Sequence, residues 1–563
     1  MSEPPQLPLD CIVHILSQLS SFGTEDGEEA AQTLARCAQV NSTFREASSG
    51  GTVWEPHYRA RYQHCIEDRE TERKSICGDN HRVLYAERRK LDKTALAIMD
   101  KIVEDRRGRT ERATEIVRLG LDVWDALQFE AESLEGPLPV HSDGSEPEAT
   151  ATRHYWTRAI MEEITRGYGV RVWKRMKLSQ VSFLEGYTSL SCFFGKTFKQ
   201  VNDVLEDITH QARKRLLETG VPLSFKDANY NVRAVCSKIC EVMGDLGFGP
   251  VDVHVCQPWE DDDDDFYVDP FDRNKPILSA DDDIPRLLSR QGATANRTSL
   301  ISPCGPIPML LRAGRNAMAA LHSPRNTSAS LARAAVIFAF SMHIQLTDRP
   351  DLVPQFVAGC EPLDCATFVS EDMVPGHPEG SQTRELLTLG VKEALDREKA
   401  EAEVIHFRSL EESSVQHFVG LVFRHRLYGY HGCIFGWDPV CAASEDWISD
   451  MGVDTLPRQR YQPFYQSFCN DGSIRYVAED NIKPFLNVSE EMFREFHEKI
   501  SILPRYFTGI HMAHAGETSR GRFFLSPELL HSYPEDDDLG RTWVEQVRSD
   551  GIATTSPTEV VIV

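Results

Sequence analysis

Apolar positions recur at helical spacing over the first part of the chain. In residues 7–19 the large aliphatic side chains fall at positions i, i+3, i+4 and i+7, the spacing of one face of a helix. These residues are Ile12, Ile15, Leu16 and Leu19. Pro8 suits a first turn, where its missing N–H costs little. A polar loop follows, and the segments around Leu34 and around residues 40–45 predict two more short helices.

Changes in composition divide the remaining chain. Residues 66–135 are charged and helical in period, and residues 136–152 are rich in Pro and Gly, as linkers are. Helical spacing resumes and continues to about residue 400, whereas residues 415–486 are rich in Tyr, Phe, Trp and Val between turn residues, which predicts strands. We therefore predict a multi-domain α+β protein with segments 1–65, 66–152, 153–400, 415–486 and an irregular, acidic tail 487–563 that begins with one more helix.

Charge and cysteine content narrow the classes of function. The net charge of −25, from 86 acidic and 61 basic residues, disfavours general binding to nucleic acid or to anionic membranes. The 14 cysteines are dispersed and no secretory signal is evident at the N-terminus, so we expect reduced thiols in the cytoplasm, the nucleus or both. The apolar stretch 334–340 is too short to span a bilayer and predicts a buried helix.

The front segment resembles the F-box family. The resemblance is carried by Leu7-Pro8, the apolar helix that ends at Leu19, the segment 40–45 and Val53-Trp54. It implies docking to the Skp adaptor of a cullin-based (SCF-type) ubiquitin ligase. The residues expected to bind the adaptor are Pro8, Leu9, Ile12, Ile15, Leu16, Leu19, Val40, Phe44 and Trp54. The alternative is a helical cap that packs on later parts of the same chain.

In the middle region, the Asn229-Tyr230 segment is followed by a helix and two strand-like runs. Over about residues 180–345, this region is similar to the SirB-type transglutaminase-like family. The similarity implies that His254 and Asp269 occupy the family's His and Asp positions, while the nucleophile position falls near Val232 rather than on a cysteine. We expect a non-catalytic scaffold. Two alternatives remain: His254 and Asp269 are ordinary structural residues, or Cys236 or Cys240 serves a thiol hydrolase or transferase.

The β-rich segment looks like the YccV-like, or hemimethylated-DNA-binding, domain, which implies a small barrel of four or five strands. The residues that carry this likeness are Gly420, His425, Tyr428, Gly429, Gly432, Asp438, Pro439, Trp447, Pro463, Tyr465, Asp471, Gly472, Tyr476, Val477, Ala478, Glu479 and Asn481. Acidic residues offset the few basic ones, so DNA binding is disfavoured. The expected client-binding residues are Arg424, His425, Tyr428, Tyr430, Trp447 and Tyr465.

These patterns together predict a substrate receptor of an SCF-type ubiquitin ligase that performs no chemistry itself. The partners implied are the Skp adaptor, the cullin and an unidentified client protein, with no cofactor, no metal and no membrane. The rival predictions are a thiol enzyme in the middle region and a DNA-binding factor that acts through the barrel.

Overall fold

A computed structural model describes most of the chain. The described residues are 7–19, 21, 24–78, 80–177, 182–224, 226–227, 229–247, 257–259, 266–268, 277–279, 282–290, 306–321, 329–408, 415–515 and 518–553. The chain divides into two compact units. Unit one comprises Met1–Ile164, Glu361–Thr367 and Val391–Val563, and unit two comprises Thr165–Cys360 and Phe368–Gly390.

The front of unit one is helical, as the apolar spacing predicts. Its elements are α1 (Leu9–Leu16), α2 (Thr24–Cys37), α3 (Ser42–Ala47), α4 (Gly51–Arg61), α5 (Glu67–Cys77), α6 (His81–Glu104), α7 (Arg109–Leu119), α8 (Trp124–Ser133) and β1 (Val140–His141). The side chain of Asn41 accepts a hydrogen bond from the backbone of Phe44 and caps α3, and Asn80 caps α6 in the same way. A long helix, α9 (Thr150–Lys177), follows.

Unit two contains the predicted middle helices and one small sheet. Its helices are α10 (Phe183–Thr188), α11 (Phe198–Glu218), α12 (Val232–Asp245), α13 (Asp283–Arg290), α14 (Pro306–Leu321), α15 (Ala329–Thr347) and α16 (Val353–Ala358). Its strands are β2 (Gln257–Trp259), β3 (Phe266–Val268) and β4 (Ile277–Ser279), paired antiparallel in that order. A short helix, α17 (Pro362–Asp364), leads into a π-helix (Cys365–Met373), and α18 (Gln382–Ala402) returns the chain to unit one.

Helix α15 is apolar around most of its circumference. Its window Ser330–Thr347 is long and apolar enough, by length and composition, to cross a membrane. In the structure, however, Ile337, Phe338, Met342 and Ile344 are buried inside the protein, and Phe338 packs on the ring of Phe193. Of the whole window, 39% is buried, so the burial predicted from residues 334–340 holds for part of the helix.

The C-terminal part of unit one is built on two sheets. Its elements are β5 (Val422–His425), β6 (His431–Asp438), α19 (Glu445–Asp450), β7 (Phe464–Cys469), β8 (Ile474–Ala478), β9 (Ile482–Pro484), α20 (Glu490–Lys499), α21 (Leu503–Tyr506), β10 (Phe507–Ala515), β11 (Thr518–Leu525), α22 (Pro527–Ser532) and α23 (Asp536–Ala553). One sheet has the order β8-β7-β6-β5-β9, all antiparallel, and the other has the order β1-β10-β11.

The predicted multi-domain α+β class is confirmed. The five-strand sheet, however, has β8 and β9 at its two edges, so the described pairings do not close it into a barrel. An antiparallel bridge between Leu421 and Arg522 joins it to the second sheet. The predicted small barrel is therefore, in its described hydrogen bonds, an open sheet with a hairpin against its first strand.

The expectation of an irregular tail after residue 487 is wrong. This segment contains four helices and the β10–β11 hairpin, and the buried rings of Phe493, Phe507 and Phe523 lie in the same core as Trp437 and Tyr465 of the five-strand sheet. The tail is amphipathic rather than uniformly polar, and an apolar face of this kind is buried against a sheet.

The predicted linker 136–152 also differs from expectation. Within it, Val140 and His141 pair in parallel with Ile510 and His511, so the segment adds an edge strand to the second sheet. Leu138 joins the core of the C-terminal part. Pro and Gly mark the turns here, and the neighbouring polar residues conceal a short strand from sequence reasoning.

Candidate functional site

The predicted adaptor-binding residues divide into buried and exposed groups. Ile12, Leu16 and Trp54 are buried and form one core with Tyr58, Tyr62, Leu84 and Tyr85. The indole N–H of Trp54 donates to the carbonyl of Ser48 at 2.6 Å. These three residues therefore hold the module together, and the prediction that they contact the adaptor directly is corrected.

The remaining predicted residues are on the surface. Ile15 is 56% exposed and Val40 is 64% exposed, and Pro8, which precedes α1, is exposed as well. Leu9, Leu19 and Phe44 are partly buried against the same core. The structure adds Leu7, which is 54% exposed. We call the exposed side chains of Leu7, Ile15 and Val40 the apolar front. A partner bound over them would remove apolar surface from water.

The core of the front module reaches beyond residue 65. Leu84 and Tyr85 come from α6, and the ring of Tyr85 lies 5.2 Å from that of Trp54. The alternative of a helical cap on the same chain is thus realised in part, because one face of the module packs on α6. The apolar front is not consumed by that packing.

The client-binding residues predicted near residue 425 cluster in the loop between β5 and β6. The imidazole of His425 is stacked between the rings of Tyr428 and Tyr430, at 4.9 and 4.7 Å. Its Nδ1 accepts hydrogen bonds from the backbone N–H groups of Leu427 and Tyr428. Burial, and secondarily the charge of Arg475, lowers the pKa of His425, so the ring is a neutral support for the loop.

What this loop presents to solvent is aromatic, aliphatic and cationic. Tyr428 and Leu427 are each 72% exposed, and Arg424 is exposed beside them. The guanidinium of Arg475 lies 4.1 Å from the ring centroid of Tyr430 and 2.5 Å from the carboxylate of Asp471. We call Arg424, Leu427, Tyr428, Tyr430 and Arg475 the 424–430 loop surface. The sequence analysis did not identify Leu427 or the contact between Arg475 and Tyr430. The turn at Gly429 indicated that neighbouring side chains such as Leu427 could be exposed.

Two predicted client-binding residues lie elsewhere. Tyr465 is fully buried, and its hydroxyl donates to the carboxylate of Glu479 at 2.6 Å, so its assignment to a surface is corrected. Trp447 is partly buried in a separate small cluster, with its ring 5.7 Å from that of Tyr476. Alternation along a strand sends every second side chain inward, and the sequence did not reveal which set faces solvent.

Several arginines of this domain are engaged with carboxylates. Arg458 binds Asp480 and Glu479, and Arg460 binds Asp454 and Glu445. Ion pairs of this kind reduce the positive charge that the domain can offer to a phosphate backbone. Among the described residues, no group of three or more His, Cys, Asp or Glu is arranged to hold a metal ion.

Comparison with known proteins supports the domain assignment. Residues 415–513 match the YccV-like family model, described as hemimethylated DNA-binding protein YccV like. This match extends past the predicted boundary at residue 486 into β10, in agreement with the shared core. The domain is YccV-like.

Curated proteins share sequence with part of the chain. F-box only protein 21 of Mus musculus is 34% identical over 159 residues, and those of Pongo abelii and Homo sapiens are 33% identical over the same length. The aligned part spans 28% of this chain and 23% of each relative. No solved structure matches the chain significantly. The predicted resemblance to F-box-only proteins and to the YccV-like domain is confirmed, while the transglutaminase-like resemblance stays a prediction.

The candidate nucleophiles of the middle region are the thiols of Cys236 and Cys240. His254 and Asp269, the expected partners of a catalytic thiol, lie outside the described residues. Cys236 and Cys240 are buried in α12, and burial raises the pKa of Cys236. A buried thiol with a raised pKa is a poor nucleophile, because the thiolate is the reactive form.

Proposed function

We propose that this protein is the substrate-receptor subunit of an SCF-type ubiquitin ligase. Its front module binds the Skp adaptor, its YccV-like domain contributes to binding the client, and it performs no bond chemistry itself. The similarity to F-box only protein 21 supports this proposal. The observation that carries it is the apolar front: a helical module with its own buried core still exposes Leu7, Ile15 and Val40.

Burial decides which substitutions test this proposal. Leu16→Asp would place a charge in the core and unfold the module, so loss of adaptor would be uninformative. Ile15→Asp and Val40→Asp place the charge on the surface, where the fold tolerates it and an apolar interface does not. Ile76→Asp is the matched control, because Ile76 is 76% exposed on α5, outside the front module.

The measurement is recovery of Skp adaptor and cullin with each full-length variant. We expect Ile15→Asp to reduce adaptor recovery by at least about tenfold, Val40→Asp to reduce it as well, and Ile76→Asp to match the wild type. Client proteins should remain bound to all three. Equal adaptor recovery from Ile15→Asp and the wild type would refute the assignment.

DNA binding is a second candidate only because of the family description. If it operated, affinity for a hemimethylated duplex would fall steeply with salt and would depend on Arg424 and Arg475. We expect no such affinity, since Arg458, Arg460 and Arg475 are engaged with carboxylates and residues 415–486 carry more acidic than basic side chains. A duplex affinity that drops on Arg424→Glu and rises at low salt would establish the DNA-binding function instead.

The rival thiol enzyme is tested by alkylation. We expect Cys236 and Cys240 to resist iodoacetamide at neutral pH in the folded chain and to react after denaturation, because both are buried. Exposed Cys11 provides the internal positive control. Selective labelling of Cys236 or Cys240 that His254→Ala abolishes would show a working thiol site.

A further inference from the structure

A groove of about 500 Å³ opens between α2, α4 and α6, on residues different from those of the apolar front. Its apolar wall consists of Ala31, Ala35 and Ala86 together with the small exposed parts of Trp54 and Tyr85, which are 4% and 8% exposed. Small side chains on α2 and α6 leave the space, and the two large rings bound it. Such a space accommodates one or two apolar side chains of a ligand.

The rim of the groove is cationic. Arg82, Arg89, Lys90 and Lys93 line it, all from α6, at spacings that place them on neighbouring turns of the helix. The described lining includes no Asp or Glu, although Glu87 and Asp92 on the same helix lie 2.6 Å from Lys90 and 3.9 Å from Arg89. Four cations around one groove stand out in a chain with a net charge of −25.

The four cations differ in how firmly they are held by the rest of the chain. Arg82 donates to the hydroxyl of Ser49 at 2.6 Å, which ties α6 to the end of α3. Lys90 and Lys93 are exposed and extend from the outer edge. An apolar wall with cations at its edge is suited to a peptide that carries carboxylates beside an apolar anchor, because each part of the ligand meets a complementary part of the site.

We propose that this groove binds an acidic peptide segment bearing apolar anchor residues, presented by a client protein. That the peptide belongs to a client protein rests on the proposed function. The chemistry of the peptide follows from the residues of the groove alone. Phosphate backbones would use the cations but would bring no apolar group to the wall of the groove, so a nucleic acid fits the site less well than an acidic peptide.

The probe is a fluorescent amphipathic peptide of about 15 residues, with Leu on one helical face and Glu on the other. Its twin has Gln in place of every Glu. We expect the full-length chain to bind the Glu peptide, with an affinity that weakens as salt is added, and to bind the Gln twin at least about tenfold less tightly. No binding of the Glu peptide, or equal binding of both, would overturn the proposal.

Two variants locate the binding. Lys90→Glu/Lys93→Glu reverses the exposed edge and Ala86→Trp fills the groove without changing charge; each should weaken the Glu peptide by about tenfold or more. Lys101→Glu is the control, an exposed lysine on the same helix outside the lining. Unchanged peptide affinity in both groove variants, with the circular dichroism spectrum of the wild type, would refute the site.

Further measurements distinguish a client-binding groove from an adaptor interface and from a nucleic-acid site. Adaptor recovery should be normal in the groove variants; if they lose the adaptor, the groove is part of the adaptor interface and the client assignment fails. If Ile15→Asp retains the adaptor while the Glu peptide still binds, the proposed function fails and the groove stands. A duplex DNA that binds more tightly than the peptide and is lost in Lys90→Glu/Lys93→Glu would identify a nucleic-acid site and overturn the proposal.

Discussion

A single buried carboxylate organises the contact between the helical front and the C-terminal part of unit one. Glu528, on α22, receives hydrogen bonds from Arg109 of α7 and Arg505 of α21, and Arg106 lies within 3.5 Å. The guanidinium groups of Arg109 and Arg505 also lie 5.0 and 5.4 Å from the ring of Trp156. Three arginines around one glutamate make the charge of that glutamate indispensable.

Glu528→Gln should destabilise unit one strongly. Removing one partner from a buried charged cluster typically costs about 3–5 kcal/mol, because the remaining charges stay buried without compensation. The measurement is urea unfolding at neutral pH. Glu491→Gln, at an exposed position on α20, is the control and should change the unfolding free energy by less than about 0.5 kcal/mol. A similar small effect at Glu528 would contradict the assigned role.

The same residue gives a pH dependence of known sign. Burial alone would raise the pKa of Glu528, but Arg505, Arg109 and Arg106 outweigh it and lower the pKa from 4.5 to about 2. Its stabilising contribution is therefore complete above the unfolded-state pKa and is lost as the pH falls from 4.5 towards 2. We expect the difference in unfolding free energy between wild type and Glu528→Gln to narrow over that interval; a constant difference would disprove the shift.

At the scale of elements, helix α1 shows how one apolar stripe serves two purposes. Leu16 is 5% exposed and faces the module core, whereas its neighbour Ile15 is 56% exposed. Adjacent residues on a helix point about 100° apart, so a broad stripe cannot be wholly buried by a single partner surface. The inner part of the stripe stabilises the fold, and the outer part is available for docking.

Alanine substitutions should separate these two purposes. Leu16→Ala should lower the unfolding free energy by about 2–5 kcal/mol, as buried leucines do, while Ile15→Ala should change it by less than about 0.5 kcal/mol. When equal amounts of folded protein are compared, Ile15→Ala should weaken adaptor binding more than Leu16→Ala does. Thermal unfolding with adaptor titration checks both, and equal destabilisation by the two variants would contradict the burial assignment.

The junction of the two C-terminal sheets depends on one glycine. Gly420 has φ of +92°, and a Cβ added there would lie 2.6 Å from the carbonyl oxygen of Phe523 on β11. Gly472, in the turn between β7 and β8, has a similar φ of +83°, but its added Cβ would approach nothing closer than 3.5 Å. The two positions thus share a backbone conformation and differ in available space.

Gly420→Ala should therefore be the more damaging of the two changes. We expect Gly472→Ala to cost about 1–2 kcal/mol, from the left-handed conformation alone, and Gly420→Ala to cost at least about 1 kcal/mol more because the sheets must separate. Urea unfolding of both variants measures the difference. Equal costs would indicate that β11 yields easily at this junction.

At the scale of the whole molecule, the YccV-like sheet is not an independent body. Its core includes Phe493, Phe507 and Phe523 from the segment after residue 486, and Leu138 from the segment before α9. A five-strand sheet without these residues would expose one apolar face to water.

A fragment of residues 415–486 should accordingly fail to fold. We expect collapsed amide signals in its proton–nitrogen NMR spectrum and binding of a hydrophobic dye, whereas residues 415–553 should give dispersed signals because most of the missing core is restored. A dispersed spectrum from the shorter fragment would show that the sheet is self-sufficient and that the shared core is dispensable.

Local sequence pattern predicted many elements of this protein. Helices α1, α12, α18 and α20, the Asp471-Gly472 hairpin and the YccV-like domain all follow from spacing and turn residues in the sequence, because each depends on neighbours a few positions away. The likeness to F-box-only proteins was equally available, since short motifs such as Leu7-Pro8 and Val53-Trp54 are contiguous. The sequence therefore determined the element types, the class of the fold and the proposed kind of function.

Tertiary structure alone decided which surfaces are free. The burial of Leu16, Trp54 and Tyr465, the exposure of Ile15 and Leu427, and the docking of residues 487–553 all depend on partners far along the chain. So does the cationic groove, whose wall and rim come from three helices. An apolar residue looks the same in sequence whether it fills a core or awaits a partner, and only long-range packing separates the two cases.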